Sequence, residues 1–336
     1  MRVDAALETT HLMKVPEIAR DLESLGYDGV YTFEGPHEPF MPLLLAAEHT
    51  TSLQLTTAVA IAFARNPMTL ANIAYDLQLA SQGRMTLGLG SQIKPHIEKR
   101  FSMEWSRPAA RMREMVQAIQ AIFASWNDEV PLDFRGEFYR HTLMTPMFNP
   151  GPCEWGPPPI VLAGVGPKMT AVAGEVADGF MIHPFSTEKF MRETTLPALA
   201  AGLATRGRTL ADFEISLPAM VAVGNSDGEI EQAREAFRMR LAFYGSTPAY
   251  RVVLEPHGWG EVQTELNRLS KTGGWGEMNS LITDEMLDAF VTCGTPHTIA
   301  NALQTRYAGI VDRVSVNPPA GVAHETWTEA LSKFTR

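Results

Sequence analysis

The sequence predicts an α/β chain folded as a (β/α)8 TIM barrel with insertions. Three observations lead there. Short apolar runs of strand length alternate with helix-length amphipathic segments along most of the chain. Eight such runs are present, enough to close a parallel barrel. Several runs also hand over directly to Gly, Pro or a titratable residue, as strands do where they end at a barrel mouth. At 336 residues the chain has the length of a single barrel domain, 1–336, enlarged by insertions.

The elements follow in order. "RVDAAL" (2–7) reads as the first strand. In "VPEIARDLESLG", Val15, Ile18, Leu22 and Leu25 share one helical face and Gly26 is a stop. "DGVYTF" is the second strand, and "PLLLAAEHT" the helix after it. "LQLTTAVAIA" (53–62) is the third strand. Asn66 then suits a helix cap, with Pro67 in the first turn. "RMTLGLG" (84–90) is the fourth strand, and residues 108–124 form a long helix. Residues 130–150 contain an alternating stretch around Arg135-Gly136 that reads as a surface hairpin. "PPPIVLAG", "DGFMIHP", "FEISLPAMVAVG" and "RVSVNPP" supply strands five to eight. Residues 245–294, with "EPHGWGE" and "KTGGWGEM", read as an insertion before the last unit, a lid or an interface.

Bulk composition narrows the function. The formal charge of -10 and pI near 5.4 argue against a nucleic-acid partner. No apolar run reaches the ~18 residues of a membrane span, and no signal-peptide pattern opens the chain. Cys153 and Cys293 are too few for a disulfide framework and read as free thiols of a cytoplasmic protein.

Barrel enzymes place their chemistry just after the strands. Here that rule collects Glu8, Glu34 with His37, Ser91 with Gln92, the turn Gly164-Val165-Gly166, His183 and Asn317. Pro167 opens a helix after that turn, so its free N–H groups and dipole suit an anion, with Lys168 adding charge. Met169 stands where a dinucleotide fingerprint needs glycine. The histidines show no metal-ligand spacing, so no metal is expected; His49 and His141 read as ordinary hydrogen-bonded residues. No nucleophile elbow is present. Acid and base groups with an anion cradle and no nucleophile suggest a cofactor enzyme. Trp259 and Trp275 read either as packing within the insertion or as walls of a pocket.

"GYDGVYTFE", "TTAVAIAFARNPMTLANIAYDLQLASQGRMTLGLGSQ" and "PPIVLAGVGPKMTAVAGEVADGFMI" together resemble the luciferase-like monooxygenase superfamily, and within it the branch using the deazaflavin coenzyme F420. The resemblance covers nearly the whole chain, least so residues 245–294. It implies a luciferase-type barrel with the deazaflavin ring at its mouth. A bulge in the third strand, with a non-prolyl cis peptide near Ala58-Val59, would back the ring. Glu34 would contact the cofactor. Ser91 and Gln92 would line the ring or its tail, and the turn from Ala163 to Met169 would take the phosphate. Lys168, with Lys94 or Arg65, would line the exit of the polyglutamate tail. Many members carry adjacent Asp and His after strand two; this chain has Glu34 and Gly35 there, with His37 two residues later.

The implied activity is hydride transfer between the deazaflavin and a small organic substrate. His37 or Glu34 would move the proton, Glu8 would lie near the substrate, and His183, His257, Trp259 and Trp275 would enclose it. An FMN-dependent monooxygenase is the alternative, and a non-catalytic flavin-binding or partner protein the third reading. The family also implies a homodimer or larger homo-oligomer.

Overall fold

The computed structural model describes residues 1–8, 11–128 and 130–334. Eight parallel strands close on themselves as the sequence predicts. In order around the barrel they are Gln54–Thr57, Gly29–Thr32, Arg2–Ala6, Arg313–Ser315, Glu214–Pro218, Gly179–Ile182, Ile160–Gly164 and Met85–Gly90. Pairing of Leu55 with Met85 and of Thr56 with Thr86 closes the ring. Helices cover the outside. Val15–Leu25 buries Val15, Ala19, Leu22 and Leu25, and stops where Gly26 turns left-handed at φ 92°. Asn66 caps Pro67–Ala80 by accepting the Thr69 N–H.

The outer face of the strands is aliphatic, but the inside of the barrel is polar. Strand side chains alternate, so Asp4, Gln54, Glu214 and Arg313 all point inward. Arg313 donates to Asp4 and Gln54 and stands 3.4 Å from Glu214, which also pairs with Arg2. Burial raises the Asp4 carboxyl to about 6 despite Arg313 beside it. A cavity of about 20 Å³ remains above this charged plug, room for roughly one water.

The structure departs from the sequence reading at the seventh strand. "FEISLPAMVAVG" is two strands. Glu214–Pro218 stays in the barrel, while Met220–Val223 leaves it and pairs in parallel with Val291–Gly294. Between those two partners lies a helical layer including Asp227–Gly245, Gly260–Thr272 and Asp284–Phe290. Its core is a second apolar cluster around Met220, Leu241, Leu266, Met286 and Phe290, distinct from the one around the barrel. The extra structure thus begins at 220. A hairpin pairs Phe134–Arg135 with Arg140–His141, and Glu114 of the long helix accepts the N–H groups of Glu137, Phe138 and Tyr139 in its turn. Among the described residues no helix is long and apolar enough to cross a membrane.

Candidate active site

The third barrel strand breaks after Thr57 and resumes at Ala60–Ile61. The peptide between Ala58 and Val59 is cis, at the position the family resemblance implies. The fourth strand makes room for the break. A Cβ on Gly88 would stand 1.8 Å from the Thr57 carbonyl oxygen, and one on Gly90 would stand 2.5 Å from a Val59 methyl. The "LGLG" of the sequence therefore reads as space for the neighbouring bulge.

The second strand holds the bulge from the other side. Ala58 N–H donates to Thr32 O at 2.6 Å, and Glu34 N–H donates to Val59 O at 3.3 Å. The Glu34 side chain, only 6% exposed, accepts from Ile61 N–H at 2.8 Å and from the Arg65 guanidinium at 2.6 Å. Arg65 also donates to Ile61 O at 3.1 Å and lies over the Phe40 ring. Glu34 is thus committed as a clamp under the bulge, and Arg65 is tied to it.

His37 is exposed on the bend that follows, 35–37. Arg100 fastens that bend by donating to Gly35 O at 2.6 Å. Phe33, 56% exposed, packs against Gly35 at the rim. Glu8 is exposed just past the first strand. Asn317 secures that strand by accepting the Ala6 N–H at 2.7 Å. After the fourth strand, Gln92 adopts the left-handed φ of 59° and its side chain accepts the Ile93 N–H. Ser91 donates to Gln92 O. These two shape the turn. Lys94 pairs loosely with Glu98 at 3.7 Å.

After the fifth strand, Gly166 precedes the helix Pro167–Val176 and no side chain caps it. Met169 and Thr170 N–H return to Gly166 O. The Lys168 N–H has no acceptor among the described residues. A Cβ on Gly166 would meet nothing, so the helix end is open to approach. Met169 packs over Gly164 and so helps set the turn.

His183 follows the sixth strand on the same inward register as Met181. Its Nδ1 accepts the Phe185 N–H at 3.0 Å, and its Nε2 lies 3.2 Å from Tyr250 Oη. Tyr244 stands edge-on to the imidazole at 5.1 Å. Burial lowers the His183 pKa to about 4 and raises that of Tyr250 to about 12. Tyr31, on the barrel wall, is pushed up as well, first by burial and then by the charge of Glu8.

Other expected substrate residues lie apart from His183. His257 stacks on Trp259 at 4.2 Å and bonds to Thr187. It lines an open groove on the outer face, with Lys189 and Arg306. Trp275 lies against Phe243, both exposed. Conversely, the sequence reading missed Tyr31, Phe33, Tyr244 and Tyr250. Phe33 and Tyr31 share the inward phase of strand two, which the period-2 pattern around Glu34 signals. Tyr244 and Tyr250 reach His183 only through the fold of the helical layer, for which the local sequence holds no signal.

The comparisons agree with this architecture. Residues 1–313 match the family model described as luciferase-like monooxygenase. An uncharacterized protein of Mycobacterium tuberculosis is 52% identical over 314 residues, covering 94% of this chain and 92% of that one. The 5,10-methylenetetrahydromethanopterin reductase of Archaeoglobus fulgidus is 29% identical over 310 residues, covering 89% and 87%. Among solved structures, the coenzyme F420-dependent tetrahydromethanopterin reductase from Methanopyrus kandleri superposes with a TM-score of 0.79 at 20% identity, covering 99% and 97%. The chain belongs to the luciferase-like monooxygenase family of oxidoreductases.

Proposed function

We propose that this protein is a coenzyme F420-dependent oxidoreductase that passes a hydride between the deazaflavin and a small organic substrate. The observation that carries this reading is the bulge at Ala58-Val59, seated in space left by Gly88 and Gly90 and clamped by Glu34 and Arg65. It offers a rigid backbone platform at the mouth against which a flat ring can lie. The rest of the site fits the cofactor too. The uncapped helix end at Gly166 to Met169 suits its phosphate, and nothing blocks the approach. Lys168, exposed beside it, suits the acidic tail. A relative in Mycobacterium tuberculosis named as a putative coenzyme F420-dependent oxidoreductase, 28% identical over 298 residues, supports a deazaflavin.

When bound, the deazaflavin supplies the hydride site. The protein's own work is to support the ring, exclude water and manage one proton. Glu34 acts through the bulge, as a positioning residue. His37 is the proton carrier, because it is exposed on a bend at the mouth and has no committed partner among the described residues. Glu8 follows the neighbouring first strand, near Tyr31.

The test is an equilibrium titration of the purified protein with oxidised F420 and, separately, with FMN. Saturable F420 binding below about 100 µM, tighter than FMN, is the expected result. Tighter FMN binding selects the monooxygenase reading instead. Binding of neither leaves the non-catalytic reading.

A further inference from the structure

We propose that Tyr250, aimed by His183, holds the oxygen of an uncharged substrate at the barrel mouth. The argument starts from a backbone group. The Phe185 N–H can only donate, so the His183 Nδ1 that it meets at 3.0 Å carries no proton. A neutral imidazole then has its proton on Nε2, which faces Tyr250 Oη at 3.2 Å. The phenol oxygen accepts that bond, so its own proton is directed elsewhere. Among the described residues no second partner takes it. His183 thereby fixes Tyr250 as an outward donor.

The surroundings set the ligand class. Tyr244 stands edge-on to the imidazole, and Phe185 stacks beneath the Tyr250 ring at 5.9 Å. Burial keeps the imidazole neutral down to about pH 4 and the phenol protonated up to about pH 12. An uncharged donor between aromatic walls does not compensate the desolvation of a carboxylate or phosphate. It matches a carbonyl or hydroxyl oxygen on a largely apolar molecule. The inference rests on the reading of the mouth as a substrate site. Tyr250 would touch the substrate, and His183 is a positioning residue.

The test has two parts, both on the full chain without cofactor and again with oxidised F420. Nitrogen-15 NMR reads the His183 tautomer at pH 7; a bare Nδ1 and protonated Nε2 are expected. Affinity for cyclohexanone is then compared with methylenecyclohexane, which has the same shape but no oxygen. The wild type is expected to favour the ketone by about tenfold, the scale of one hydrogen bond. Tyr250→Phe should abolish that preference, His183→Asn should weaken it, and His257→Ala should leave it intact. A protonated Nδ1, a wild type without preference, or a Tyr250→Phe variant that keeps it overturns the proposal. Failure of F420 to bind removes the cofactor reading alone, since the cofactor-free measurements still decide this one.

Discussion

At the residue scale, two carboxylates that the sequence presents alike have different fates. Glu8 stays exposed at the rim, whereas Glu34 is buried against Ile61 and Arg65. Removing one member of a buried, hydrogen-bonded pair leaves the other uncompensated. Glu34→Ala is therefore expected to lower stability by about 3 kcal/mol in urea denaturation, and to weaken F420 binding with it. Glu34→Gln, which keeps an acceptor for Ile61, should lose less. His37→Ala should behave oppositely, with stability and F420 affinity unchanged. Its turnover, measured over a panel of alcohols and enones, should fall by about 10²-fold or more. His183 gives a pH prediction. Its folded pKa is depressed to about 4 from an unfolded value near 6.5. Its contribution to stability is thus whole above pH 6.5, declines as the pH falls, and is gone below about 4. Relative to the wild type, His183→Asn should gain on the order of 3 kcal/mol across that window. A difference that stays constant with pH would refute the assignment.

At the element scale, the strand-helix alternation was legible because period and turn residues are local properties. Val15, Ile18, Leu22 and Leu25 gave the first outer helix, and Asn66-Pro67 gave the start of another. Two strand breaks leave no local signal for the same reason; the family resemblance placed the first at Ala58-Val59, and nothing placed the second. "TTAVAIA" holds no Gly, Pro or charged residue to mark a break, yet its bulge depends on Gly88 and Gly90 of the next strand. "SLPAMVAVG" continues as one run, yet its second half pairs with Val291–Gly294 about 70 residues later. Register across such distances is a property of the packed molecule. The glycines make the point testable. Gly88→Ala drives a methyl into the Thr57 carbonyl and is expected to cost about 3 kcal/mol or more by thermal or chemical unfolding. Gly166→Ala meets open space at an ordinary φ, so its stability should change by less than about 0.5 kcal/mol.

At the scale of the whole molecule, barrel topology made most of the candidate site legible. Strand ends from distant parts of the chain meet at one mouth, which put Glu8, Glu34, His37 and His183 there before any distance was known. Their commitments were not legible, because a clamp and a proton carrier are the same residue types with different neighbours. The placement of His257 and Trp259 on the outer groove has the same origin. The separate apolar core of the 220–294 layer also has a dynamic consequence. Amides of Gly260–Thr272 should exchange with deuterium faster than those of the central strand Met85–Gly90. The central claim is that the bulge and the open helix end together form a deazaflavin site. A crystal structure with oxidised F420 tests it most directly. The ring should lie against Ala58-Val59, with the phosphate at the Lys168 N–H. A ring away from the bulge, or a phosphate held by Lys189 and Arg306 in the outer groove, would contradict the account.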